Sequence, residues 1–206
     1  MIKYYMGALA GAASILASGA AYAQLGNGGA TFSDVEHLSG NGADVVARYV
    51  GLAQGVMNAE STLLAAVNLK AAADKAANQG KGLTPDATRG TLESAIKVQV
   101  ESGQILEQQL GGKAAELNEA NKKQFGDGVR ELARGVTEYA GMSKDLTGLK
   151  KTLKPTGGTA TSALYLSKTL PETVKELTHT LKSAIDYSKA NNIPVPQEAL
   201  DATATL

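Results

Sequence analysis

Apolar residues recur at steps of three or four along one stretch: Phe125, Val129, Leu132, Val136, Tyr139, Met142, Leu146, Leu149 and Leu153. That spacing sets them on a single face of a helix. At a rise of about 1.5 Å per residue, such a helix runs roughly 43 Å. One apolar stripe of that length needs partners to cover it, and three other stretches repeat the rhythm.

The first of these helices is predicted over about 43–78, with Val45, Tyr49, Leu52, Val56, Ala59, Leu63 and Val67 on its seam. It stops at Asn78-Gln79-Gly80-Lys81-Gly82, because glycine adopts the left-handed C′ conformation at little cost. A second helix starts at Thr84-Pro85-Asp86, with Thr84 as N-cap and Pro85 in the first turn. Its stripe of Leu92, Ile96, Gly103, Leu106 and Leu110 is weaker, and Gln99 falls where an apolar residue is expected. Gly111-Gly112 ends it.

The third helix restarts at about Lys113, carries the central stripe, and ends at Leu153-Lys154-Pro155, since the residue before a proline is pushed out of the helical region. The fourth covers about 161–191, with Leu166, Leu170, Val174, Leu177, Leu181, Ala184 and Ser188 as its seam. Pro171 interrupts it. Thr169 and Glu172 can cap a fresh start there, so this helix kinks or splits. A short final turn is expected over 196–202.

The predicted fold is therefore all-α: an elongated, antiparallel, up-down-up-down four-helix bundle, about 40–55 Å long by its helix rise. Its last helix is kinked or split. Seams at this spacing favour shallow, coiled-coil-like crossings. Aromatic residues make up 4% of the chain and tryptophan is absent. The core must then come from Leu, Val, Ile and Ala, which suits helix packing better than a sheet.

Glycines interrupt the helices in a pattern. Gly128, Gly135, Gly141 and Gly148 lie beside the central stripe, with Gly51 and Gly55 on the first helix and Gly90 and Gly103 on the second. An interior glycine costs about 1 kcal/mol relative to alanine. The near-heptad spacing predicts a smooth ridge on which another helix packs closely.

The start of the chain carries an export pattern. Lys3 gives a positive head, residues 6–17 an apolar run, and Ala21-Tyr22-Ala23 a small-x-small cleavage site. Residues 1–23 read as a Sec-type signal peptide, cleaved after Ala23. Residues 24–41 follow as a Gly/Asn-rich flexible arm. The bundle occupies 42–192 and a C-terminal tail 193–206. The apolar run is shorter than the roughly 20 residues of a spanning helix, so no stable membrane insertion is expected after cleavage. The expected location is the periplasm or the extracellular space.

Twenty basic and twenty acidic residues leave no net charge, which disfavours nucleic acid as a partner. Without cysteine there is no disulfide, thiolate site or thiol nucleophile. Two histidines each follow a glutamate or aspartate by three residues, at Asp34/His37 and Glu176/His179. Glu-x-x-His on facing helices is a feature of carboxylate-bridged metal bundles. Only Glu176/His179 lies on a strongly predicted helix, and Glu60, Glu93, Glu101 and Glu138 would have to turn inward to complete a site. No catalytic residue, cofactor site or metal ligand is therefore assigned. Tyr139, Tyr165 and Tyr187 read as rim residues of the core, and Lys150, Lys151 and Lys154 as charges suited to a helix C-terminus.

These features point to an exported, non-enzymatic structural or protein-interaction protein with a protein partner or self-association. Two alternatives stand beside it: a bundle holding a small apolar ligand along the glycine ridge, and a ferritin-like metal-dependent enzyme.

Overall fold

The computed structural model describes residues 42–112, 117–149 and 158–205, all within the unit Glu36–Leu206. The described residues form six helices and no strand: α1 Gly42–Ala66, α2 Lys70–Lys81, α3 Arg89–Gly111, α4 Glu119–Leu149, α5 Gly158–Ala190 and α6 Gln197–Thr205. The all-helical class is the one the periodicity predicts. The signal segment 1–23, the arm 24–41, the restart at 113–116 and the helix end over 150–157 lie outside the described residues.

The central stripe is the core of α4. Phe125, Val129, Leu132, Val136, Tyr139, Met142 and Leu146 are all fully buried. Among the described residues α4 opens at Glu119, where the Asn121 amide donates to Asn118 Oδ1 at 2.8 Å. That bond satisfies one of the free amides of a helix start.

The predicted first helix is two helices. Asn68 sits at φ 65°, a left-handed conformation that asparagine tolerates better than most residues. The Leu69 amide bonds Leu64 O at 2.8 Å and the Asn68 amide bonds Ala65 O at 3.0 Å. This double closure is a Schellman end. It turns the chain so that α2 runs back along α1, with Gly80 against Met57 and the Gln54 side chain donating to Leu83 O at 3.0 Å. Asn192, at φ 55°, ends α5 in the same way, through Ile193 to Ser188 O at 2.8 Å.

The predicted start at Thr84 is a turn instead. The Ala87 amide closes on Thr84 O at 2.9 Å, with Pro85 in the second turn position that its fixed φ suits. The N-cap is Thr88, whose hydroxyl accepts from the Thr91 amide at 3.3 Å. Pro171 lies inside an unbroken α5, so the last long helix is not split. Thr169 does not cap a new start: its hydroxyl donates back to Tyr165 O at 3.1 Å. The tail is also ordered further than a single turn, because α6 reaches Thr205 and buries Ala199 and Ala202.

Contacts fix the helix directions. Arg48 pairs with Asp145 at 2.9 Å, Tyr49 stacks on Tyr139, Val56 meets Gly135 and Leu63 meets Gly128. Positions rise along α1 as they fall along α4, so these two are antiparallel. Phe125 near the start of α4 meets Tyr187 near the end of α5, which makes that pair antiparallel too. By contrast, Ala87 meets Ser162, Arg89 lies over Tyr165 and Gly103 meets Thr180, so α3 and α5 run side by side in the same sense. The four long helices therefore do not simply alternate. The α2 return lets α1, α3 and α5 share one direction, with α4 opposed to them.

The predicted glycine ridge is half present. A Cβ on Gly135 would overlap Val56 Cγ2, and one on Gly128 would come within 2.8 Å of Leu63 Cγ. Gly141 and Gly148 have open space beside them, as do Gly51 and Gly55. The close contact is limited to Gly128 and Gly135, seven residues apart on the face of α4 toward α1, and Gly141 and Gly148 fall out of that phase.

Candidate functional site

One set of buried polar groups links α1, α4 and α3. Gln99, the residue that broke the second stripe, is fully buried. Its side-chain amide donates to the Tyr139 hydroxyl at 3.1 Å. The Tyr139 ring stacks on Tyr49, with centroids 5.6 Å apart and planes 21° apart. Tyr139 is thus an interior residue rather than a rim one. Its partner hydroxyl, on Tyr49, lies near Tyr139 but makes no well-formed hydrogen bond. Burial raises both phenols above their ordinary value.

Glu60 is the unexpected member. The sequence offered it as a carboxylate that suited solvent, flanked by Ala59 and Ser61. It is 0% exposed, and neither carboxylate oxygen has a hydrogen-bond partner. Burial pushes its carboxyl well above the usual carboxylate range. It also bears electrostatically on Tyr49 and Tyr139. A bare carboxylate would cost several kcal/mol in such surroundings, so the interior selects the neutral acid. Glu60 falls eleven residues after Tyr49, three turns on, and so on the same face of α1. That phase was the available sequence signal. It was masked by the small and polar neighbours of Glu60.

Of the carboxylates weighed for a metal site, Glu60 alone turns fully inward, and the other residues lie elsewhere. His179 is exposed and Glu176 half-buried on α5. Glu93 is exposed and pairs with Arg89 at 2.7 Å, and Glu101 pairs with Lys75 at 2.6 Å. Among the described residues, no three His, Asp or Glu side chains gather as a metal site requires. His37 and Lys150, Lys151 and Lys154 lie outside the described residues.

Two depressions in the surface of the described residues bear on what it could hold. One, between α3 and α5, has room for about one water, roughly 10 Å³. It is lined by Gln99, Gly103, Glu107, Glu176 and Thr180, with Thr180 donating to Glu107 at 2.8 Å. The other is an open groove of about 250 Å³ beside the start of α4, lined by Lys122, Lys123, Asp127, Arg130 and Ile193. Its cations are already engaged: Lys122 with Glu119, Lys123 with Asp127, and Arg130 with Asp127 and Glu198. Among the described residues no helix is long and apolar enough to cross a membrane. The chain matches no protein-family model, no curated protein and no solved structure.

Proposed function

We propose that this is an exported helical-bundle protein with a non-catalytic structural or protein-interaction role in the cell envelope or outside the cell. The reading includes removal of residues 1–23 and a bundle built on the four long helices α1, α3, α4 and α5. The observation that carries it is the occupancy of the glycine ridge. Val56 and Leu63 of α1 fill the space at Gly135 and Gly128, so the interior surface that could have lined a ligand slot is used for packing. That weighs against the apolar-ligand reading. The surface placement of His179 weighs against the metal-enzyme reading. Export is supported by Lys3, the apolar run 6–17 and Ala21-Tyr22-Ala23.

Native and intact-mass spectrometry of protein purified from its source cell tests both parts. The expected result is a chain beginning at Gln24, associated with itself or with another protein. A stoichiometric small-molecule mass or metal on the isolated chain would replace the interaction reading. A chain that retains residues 1–23 would refute cleavage after Ala23.

A further inference from the structure

We propose that Glu60 makes the packing of α1 proton-dependent: the neutral acid is held in the core, and its ionisation drives α1 away from α4 and α3. The geometry is a side chain enclosed on all sides, with both oxygens unpartnered. Among the described residues it is the one Asp, Glu, Lys, Arg or His that is buried. The titratable groups that feel it are Tyr49 on its own helix and Tyr139 on α4. Both are phenols that burial keeps neutral, so neither can balance a negative charge.

No cation of α1 or of the helices against it is buried beside Glu60. On α1, Arg48 pairs with Asp145. On α4, Arg130 pairs with Asp127 and Glu198, and Arg134 with Glu131 and Glu198; all three arginines are partly exposed. On α2, Lys70, Asp74, Lys75 and Lys81 are exposed. On α3, Lys97 and Glu101 pair with each other at 3.8 Å at the surface. The charged residues of α5 are likewise exposed or half-buried, and Lys175 pairs with Glu172. An ion formed at Glu60 can therefore be stabilised only by reaching water. For a side chain in the middle of a helix, that means movement of the helix. The parts that must separate are the closest ones, where Val56 and Leu63 sit on Gly135 and Gly128. This inference rests on the interior of the fold and holds whether or not the protein is exported.

The sign follows from linkage. The folded carboxyl titrates above its unfolded value. Its contribution to stability is thus fully present below the unfolded value, about 4.3. It is lost as pH rises toward and through the folded value. Over that interval the unfolding constant should rise about tenfold per pH unit.

Equilibrium unfolding of the purified protein between pH 5 and 9, beside Glu60→Gln, tests this. The amide keeps the size of the neutral acid and cannot ionise. The expected result is that the tenfold-per-unit slope is present in the parent and absent from Glu60→Gln. Parallel profiles would overturn the proposal. Should Glu60→Gln fail to fold, carbon NMR of the Glu60 carboxyl in the unaltered protein decides instead. A neutral-acid shift at pH 7 supports the proposal and a carboxylate shift overturns it. Amide exchange across 53–64, corrected for the intrinsic pH dependence of exchange, reads the movement itself. Protection should fall as pH rises, and protection constant up to pH 9 would overturn the release of α1.

Discussion

The α1–α4 and α3–α5 contacts are built on opposite plans. Between α1 and α4 the helices are antiparallel and the contact is apolar, with Val56 and Leu63 seated on glycines. Between α3 and α5 the helices are parallel and the contact is polar. Gln99 and Gly103 face Thr173 and Thr180, and the Thr180 hydroxyl has Glu107 at 2.8 Å and Glu176 O at 3.2 Å as acceptors. The first contact gains from dispersion and from removal of apolar surface from water. The second must satisfy each polar group it buries, since an unmade hydrogen bond costs more than a made one returns. Glu60 is the ionisable exception, a carboxyl placed on the apolar side without a partner, near the likewise unpartnered Tyr49 hydroxyl.

The largest expected effect breaks the apolar contact. Gly135→Leu places a branched side chain where Val56 already lies. It should lower stability by about 3 kcal/mol, the upper part of the range for overpacking. Denaturant midpoints check it, and a rise in midpoint would show the face to be open.

Next comes the exception. Glu60→Leu removes an unpartnered acid from the interior and leaves a side chain of similar size. At pH 7 it should raise stability by about 2 kcal/mol, the typical cost of an unsatisfied buried polar group. A fall in melting temperature would show that Glu60 has a stabilising partner.

A smaller effect separates the two plans. Gln99→Leu strands the Tyr139 hydroxyl, which should cost about 1–2 kcal/mol. Tyr139→Phe on that background should recover much of the loss, because both halves of the hydrogen bond are then gone. A double-mutant cycle measures this directly. Simple additivity would mean that the 3.1 Å bond contributes nothing.

These contrasts also explain what the sequence made legible. The stripe from Phe125 to Leu146 needed only spacing, and each residue of it is buried. The polar seam of α3 could not be read that way. Gln99 broke the stripe because its partner, Tyr139, stands forty positions away on another helix. The split after Ala66 was hidden for a different reason. Asn68 carries the left-handed turn that a glycine would have announced. Thr84-Pro85-Asp86 resembled a helix start because a turn and a first helical turn favour the same residues. Glu60 shared the phase of Tyr49, yet side-chain type argued for solvent, and the tertiary setting prevailed. The glycines were legible as a spacing, and their two populations follow from helix phase. Gly128 and Gly135 are seven residues apart and face α1, whereas Gly141 follows Gly135 by only six and lies about 120° away around α4.

That last distinction is also the most direct test of the account. Gly135→Ala and Gly141→Ala make the same chemical change six residues apart on the same helix, on faces about 120° apart. Each gains up to about 1 kcal/mol of helix propensity, and only the first meets a neighbour, Val56. Unfolding midpoints measured side by side should move in opposite directions. Gly141→Ala should become more stable, and Gly135→Ala less stable by about 1 kcal/mol once the overlap with Val56 is set against the propensity gain. Equal stabilisation of both variants would contradict the close packing of α1 on α4.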